Sequence, residues 1–159
     1  MIYNAYFKSP IGILEIKSSA THILSIEFVE ESDFEKQQIN DLIHDCILQL
    51  TAYFSHLLHQ FELPLAFNGS AFQNKVWQEL QQIPFSTTCS YLQFAKKLGD
   101  AKCIRAAAAA NARNPFAIVV PCHRVIGSNG KLVGYAGGLW RKQWLLEHEQ
   151  AISLQTKLF

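Results

Sequence analysis

The feature that most constrains this chain is a break at Asn68-Gly69-Ser70. Turn-forming residues stand together there, and the charge of the chain changes sign across them. Residues 1–69 hold 3 Lys and Arg against 9 Asp and Glu, a net of −6, whereas residues 70–159 hold 11 against 4, a net of +7. The overall net charge of +1 conceals this asymmetry. With 159 residues, 49% of them hydrophobic and 17% charged, the chain has material for a real core, as one domain or as two small ones. The break predicts two, residues 1–68 and 69–159. A basic half joined to an acidic half points to a C-terminal half that meets a polyanion. The alternative is a basic face that is simply solvated.

Residues 2–8 and 11–17 predict a β-hairpin around the turn signal Ser9-Pro10-Ile11-Gly12, and His22 to Val29 a third strand. From Ile39 to Leu58 the apolar residues recur at helical spacing, which predicts an amphipathic helix of five turns. Phe61 to Leu65 reads as a short strand. In the second half Ser70 is placed to cap a helix from Ala71 to Gln82, which Pro84 ends. Ser90 to Leu98 predicts a further helix stopped by Gly99, and Ala101 to Ala112 another, rich in alanine. Helix, glycine-containing turn and helix together outline a helix-turn-helix. Val125 to Val133, around Ser128-Asn129-Gly130, reads as a tight hairpin or wing, and Trp140 to Glu149 as a last helix.

The chemistry concentrates at Val119-Val120-Pro121-Cys122-His123-Arg124-Val125. Pro121 stops strand pairing just before a sulfur. His123 and Arg124 set potential positive charge beside it, and such neighbours favour the nucleophilic thiolate. The other reading is a buried structural cysteine. The four cysteines (46, 89, 103 and 122) show neither a CxxC spacing nor a zinc-ribbon pattern, so they read as reduced thiols. The N-terminus lacks a basic-then-apolar signal design, and no apolar run approaches membrane-spanning length, so a cytoplasmic protein with no membrane association is expected.

Several motifs occur in a fixed order: Phe72-Gln73-Asn74-Lys75-Val76-Trp77, Ile83-Pro84-Phe85, Ser90-Tyr91, Arg105-Ala106-Ala107, Asn114-Pro115, Pro121-Cys122-His123-Arg124-Val125-Ile126-Gly127, Gly134-Tyr135-Ala136-Gly137-Gly138 and Lys142 to Glu149. Together they closely resemble the O6-alkylguanine-DNA alkyltransferases, also called methylated-DNA–protein-cysteine methyltransferases. The motif resemblance covers roughly residues 70–150. It implies an α/β plus mostly α architecture: a small N-terminal ribonuclease-H-like α/β domain, then a helical, winged helix-turn-helix-like domain.

The resemblance further implies DNA repair by irreversible, single-turnover transfer of a methyl or other alkyl group from O6-alkylguanine in double-stranded DNA to the protein's own cysteine. O4-methylthymine is a further candidate substrate. By match to the family motif, Cys122 is the nucleophile, His123 the base acting through a water, Glu149 the group that orients that histidine, and Asn114 the support of the active-site backbone. Tyr91 is the donor to N3 of the base. Tyr135 and Ala136 form the loop over the base, and carbonyls near Cys122 and Val125 accept from the guanine amino group. The target lies inside a base stack, so the nucleotide must be flipped out. Arg105 then fills the gap, and the alanine helix enters the minor groove. Asn111 and Arg113 are candidates for phosphate or sugar contacts. A monomer without cofactor or metal is expected.

This chain departs from the family pattern at Ala108 and Ala109, where members often carry glycine, and at Ala136, where some carry serine. Some relatives bind structural zinc, but His22, His44, Cys46, His56 and His59 make no recognisable ligand pattern. Two rival functions remain in view. A cysteine hydrolase would use the same Cys-His pair, but no oxyanion-hole motif is evident. A module that binds alkylated DNA without repairing it would not need Cys122.

Overall fold

The computed structural model describes residues 1–151. It divides into two compact units, one formed by Met1–Phe67 with Pro115–Ala117, the other by Asn68–Asn114 with the chain from Ile118 onward.

The first unit is built on three antiparallel strands in sequence order, β1 (Tyr3–Ser9), β2 (Gly12–Ser18) and β3 (Ile23–Val29). The register sets Ala5 opposite Ile16 and Ile16 opposite Ile26, so one face collects Ala5, Leu14, Ile16 and Ile26, all buried. This is the alternation that the sequence shows. Helix α1 (Asp41–Phe54) is capped by Asn40, whose side chain accepts from the Ile43 N–H at 2.9 Å, and it buries Ile43, Cys46, Leu50 and Tyr53.

The expected helix over 39–58 is therefore shorter at both ends. His56 turns into the left-handed region at φ 61, and Leu57 beyond it is exposed. The short strand expected at 61–65 reduces to a bridge between Ile23 and Leu65, in which the Ile23 N–H donates to the Pro64 carbonyl. Pro64 has no N–H to return to a ladder.

Residues 115–117 join this unit through the same strand: the Ile26 N–H donates to the Pro115 carbonyl and the Ala117 N–H to the Ile26 carbonyl. The two units are therefore not the unbroken stretches 1–68 and 69–159.

The second unit opens with α2 (Ala71–Leu80). Ser70 and Gln73 cap it reciprocally, each side chain bonding the other's backbone N–H. Its buried face is Val76, Trp77 and Leu80. Gly69 lies against that face, where an added Cβ would stand 2.6 Å from the Trp77 ring.

After β4 (Cys89–Ser90) comes α3 (Tyr91–Lys97), again with a reciprocal Ser90–Gln93 cap. A single 3₁₀ turn at Ala101–Cys103 leads into α4 (Ile104–Ala112), so the alanine helix starts later than expected. Trp77 Nε1 donates to the Ala110 carbonyl at 2.9 Å and locks α2 to α4.

The chain then reaches β5 (Val125–Ile126) and α5 (Leu139–His148). The hairpin expected at 125–133 does not form. A tight turn is present, with the Gly127 N–H on the Lys131 carbonyl, but β5 pairs in parallel with β4, Cys89 opposite Val125 and Ser90 opposite Ile126.

Candidate active site

Cys122 starts a 3₁₀ turn that runs to Arg124, directly after Pro121. Its N–H bonds the Val120 carbonyl at 2.8 Å, and the Asn114 side-chain amide donates to that same carbonyl at 2.9 Å. Asn114 thus holds the backbone that leads into the sulfur. Cys122 itself is only 5% exposed.

Burial pushes the Cys122 thiol above the ordinary thiol range, against smaller opposing effects of an Asn114 hydrogen bond and the Lys142 charge. His123 and Arg124, expected to set potential positive charge beside the sulfur, both engage Glu149 instead. Neither residue lends it a charge, for reasons that lie in their own partners.

His123 is fully buried, with Nε2 2.7 Å from Glu149 Oε2. Arg124 lies against the same carboxylate, Nε on Oε1 at 2.8 Å and Nη2 on Oε2 at 3.1 Å, while Nη1 donates to the Ile83 carbonyl at 2.7 Å. Burial opposes ionisation of Glu149, yet His123 and Arg124 outweigh it and hold the carboxyl well below the usual carboxylate range. Burial drives His123 the other way, below its ordinary value and past the opposing pull of Glu149.

The permanent ion pair is thus Arg124–Glu149, and His123 is neutral. An ionised carboxylate only accepts, so Nε2 carries the hydrogen and Nδ1 the lone pair. Nδ1 is buried and meets no hydrogen-bonding group among the described residues. A buried basic nitrogen held in one tautomer is what a general base requires.

Tyr91 is the first residue of α3 and is buried. Its hydroxyl accepts from Asn111 Nδ2 at 3.0 Å, and burial, then the neighbouring Cys122, push its pKa to about 12, so it keeps its proton. Val125 is fully buried, donates its N–H to the Cys122 carbonyl and opens β5. The Tyr135 hydroxyl is buried and meets no hydrogen-bonding group among the described residues, and it lies close enough to Cys122 for their charges to interact.

The structure therefore brings Cys122, His123, Glu149, Asn114, Tyr91, Val125 and Tyr135 into one neighbourhood. Arg105 and Ala136 lie outside the buried cluster. Arg105 is exposed near the start of α4 with Ala106 and Ala109, and Ala136 is exposed in the loop before α5.

Three residues of the cluster were not given their place by sequence reasoning. Arg124 was read as a charge for the sulfur rather than for Glu149. Lys142 is 0% exposed, and its ammonium donates to the Val133 and Gly134 carbonyls at 3.0 and 3.1 Å, which ties the start of the loop that carries Tyr135. Asn111 was assigned to phosphate or sugar, but it is buried against Tyr91 and Cys122. A signal was available for both polar residues. Lys142 and Glu149 share a helical stripe with Leu145 and Leu146, and Asn111 shares one with Ala107 and Ala110.

All four cysteines are unpaired, and among the described residues no three metal-ligating side chains cluster. No described helix is long and apolar enough to cross a membrane.

Comparison with known proteins gives one consistent result. Residues 2–67 match the ribonuclease-like domain of 6-O-methylguanine DNA methyltransferase, and residues 71–151 its DNA binding domain. The methylated-DNA–protein-cysteine methyltransferase of Methanosarcina acetivorans is 41% identical over 155 residues, which cover 93% of this chain and 98% of the relative. That of Mycobacterium leprae is 40% identical over 155 residues, 94% of this chain and 93% of the relative. Among solved structures, the Mycobacterium tuberculosis O6-methylguanine methyltransferase superposes with a TM-score of 0.85 at 36% identity, covering 98% of this chain and 97% of that one. The M. tuberculosis OGT in complex with DNA gives 0.84 at 38% identity, with 93% of each chain covered. Two family domains in the right order, matched relatives over nearly their whole length and a shared fold lead to one conclusion: this chain belongs to the 6-O-methylguanine DNA methyltransferase family.

Proposed function

We propose that the protein reverses alkylation damage directly, moving an alkyl group from O6 of guanine in double-stranded DNA onto Sγ of Cys122, once per molecule. The observation that carries this reading is the buried chain Arg124–Glu149–His123, which fixes a neutral imidazole with a free lone pair one residue from a buried thiol.

The resting sulfur is a thiol, so the reaction begins with removal of its proton. His123 Nδ1 takes that proton through a water, and the imidazolium formed is stabilised by the Glu149 carboxylate. The thiolate attacks the alkyl carbon. The S–C bond forms as the C–O6 bond breaks, and the electron pair of that bond leaves with the base. Tyr91, protonated and buried, donates to N3 and spreads the charge of the leaving base, which finally keeps the proton that the thiol gave up. The product is a thioether, and nothing in the cluster is arranged to cleave it.

The alkyl carbon lies within the duplex stack, so the nucleotide is extruded before attack. Exposed Arg105 takes its place, and the alanine face of α4 lies in the minor groove. The Tyr135–Ala136 loop covers the base, and the carbonyls near Cys122 and Val125 accept from its amino group. The protein acts as a monomer in the cytoplasm.

The test is the intact mass of the protein after incubation with a duplex carrying one O6-methylguanine. The expected result is a gain of one methyl group, mapped to Cys122 and stopping at one. Cys122→Ser should bind the duplex and gain nothing. An unmodified wild-type protein that still binds the DNA would overturn the reading in favour of a lesion-binding module.

A further inference from the structure

One buried polar group in the cluster has no task in this scheme. Asn111 is 3% exposed, and its Oδ1 is buried with no hydrogen-bond partner among the described residues. A buried amide oxygen left unpaired is costly, and such atoms are uncommon in folded proteins.

The orientation of the amide is settled by its neighbours. Asn111 faces the Tyr91 hydroxyl at 3.0 Å and approaches the Cys122 carbonyl at 3.5 Å. A carbonyl can only accept, so the atom turned toward it is nitrogen. Nδ2 therefore donates to Tyr91 Oη, and the phenol's own hydrogen is released to point elsewhere. Oδ1, on the same carbon as Nδ2, stands beside that phenol as a bare acceptor.

This pair of groups is complementary to one edge of guanine. Guanine carries the acceptor N3 and the donor amino nitrogen N2 on a single carbon, C2, just as Asn111 carries Oδ1 and Nδ2 on Cγ. We propose that Asn111 is a specificity-determining residue that reads the guanine base, with Oδ1 accepting one hydrogen of the exocyclic amino group, whose other hydrogen is left to the backbone carbonyls, while Nδ2 holds Tyr91 to donate to N3. The four hydrogen-bonding groups then close a ring: N2–H to Oδ1, Nδ2–H to Tyr91 Oη, and Tyr91 O–H to N3. Every donor in it has an acceptor, and the orphaned oxygen gains its partner when a base with an amino group at C2 is bound.

The inference rests on the reading that O6-alkylguanine enters beside Cys122 and Tyr91. It adds a consequence that the reading alone does not contain: part of the preference for a base with the C2 amino group should be lost with the Asn111 side chain.

The experiment compares single-turnover methyl transfer from duplexes carrying O6-methylguanine or O6-methylhypoxanthine, which differ by that amino group alone. Wild-type protein should prefer the guanine, and in Asn111→Leu, close in volume but without polar atoms, the preference should fall by about tenfold, the yield of one hydrogen bond to a buried acceptor. If both substrates slow equally in the variant and the preference is unchanged, Asn111 merely seats Tyr91 and the proposal is overturned. Equal rates for the two bases on wild-type protein would overturn it without any variant, so a misfolded Asn111→Leu leaves it testable. Wild-type protein that takes a methyl group from neither duplex would instead refute the proposed function itself.

Discussion

Arg124 grips Glu149 by both carboxylate oxygens, Nε to Oε1 at 2.8 Å and Nη2 to Oε2 at 3.1 Å, and neither side chain is more than 7% exposed. The arrangement puts the fixed charge of the site on the Nε2 side of the imidazole and leaves Nδ1 clear of it. Arg124 and His123 together keep Glu149 ionised against burial, and His123, itself driven neutral by burial, is left to accept a proton.

Arg124→Met should therefore destabilise the fold by about 3–5 kcal/mol, because it strands a buried carboxylate. Arg124→Lys should recover only part of this, since a single ammonium cannot span both oxygens and the Ile83 carbonyl as the guanidinium does. Denaturant midpoints of the three proteins check the prediction. A loss in Arg124→Met below about 1 kcal/mol would mean that the pair behaves as a solvated surface bridge.

Glu149→Gln keeps the shape and removes the charge. The glutamine amide can present N–H to Nε2, which moves the imidazole hydrogen to Nδ1 and blocks the base. Methyl transfer to Cys122 should slow by roughly 10²–10⁴-fold, the usual contribution of a positioned general base, with duplex affinity unchanged. Single-turnover rates and a binding titration on the same protein separate the two effects.

Lys142 gives a pH signature. Burial depresses its pKa from 10.5 to about 8, against the pull of Cys122. Between those values the unfolded chain holds a proton that the folded chain has released, so stability rises with pH across that window. Below it, the buried ammonium costs about 3 kcal/mol. Lys142→Met abolishes this slope. Wild-type protein should gain on the variant as pH rises from neutral toward 10, read from urea midpoints in both. Parallel slopes would refute it. The variant should also transfer methyl groups more slowly, because it lacks the cation that favours the Cys122 thiolate and the tether on Val133 and Gly134.

The elements that repeat a local rule were legible in the sequence. The strands β1 to β3 alternate, α1 shows its period, and Ser70 and Ser90 announce their helices with glutamine three residues on. What escaped depends on residues far apart in the chain. Two-residue strands have no period to detect, so the pairing of β4 with β5 left no trace. The attachment of residues 115–117 to β3 is equally silent. Arg124 could be named from its motif but its direction could not, because that is set by where Glu149 arrives at the end of α5. The protonation of Cys122 escaped for the same reason: nearby positive residues are countable in a sequence, whereas burial of the thiol is not.

Exposed Arg105 should be separable from stability. Arg105→Ala should leave the unfolding free energy within about 0.5 kcal/mol of wild type, as for most surface changes. Repair in duplex DNA should nevertheless slow on the order of tenfold or more relative to transfer from free O6-benzylguanine, which needs no flipping. Equal slowing of both reactions would remove the residue from the flipping step.

Gly69→Ala should destabilise by about 1–3 kcal/mol through overpacking. The added carbon would meet the Trp77 ring at 2.6 Å, and that ring cannot swing away without breaking its bond to the Ala110 carbonyl. A thermal melt of the variant with and without Trp77→Phe tests whether the clash is the cause.

The smaller of the two sheets among the described residues has a use out of proportion to its length. β4 ends at Ser90, immediately before Tyr91, and β5 begins at Val125, three residues after Cys122. Two rungs of backbone pairing thus act as a caliper between phenol and sulfur. The spacing of the chain segments that carry Tyr91 and Cys122 is set by main-chain pairing rather than by the side chains around them. Side chains around the two residues can therefore change in size or charge while the main-chain spacing between Tyr91 and Cys122 stays set.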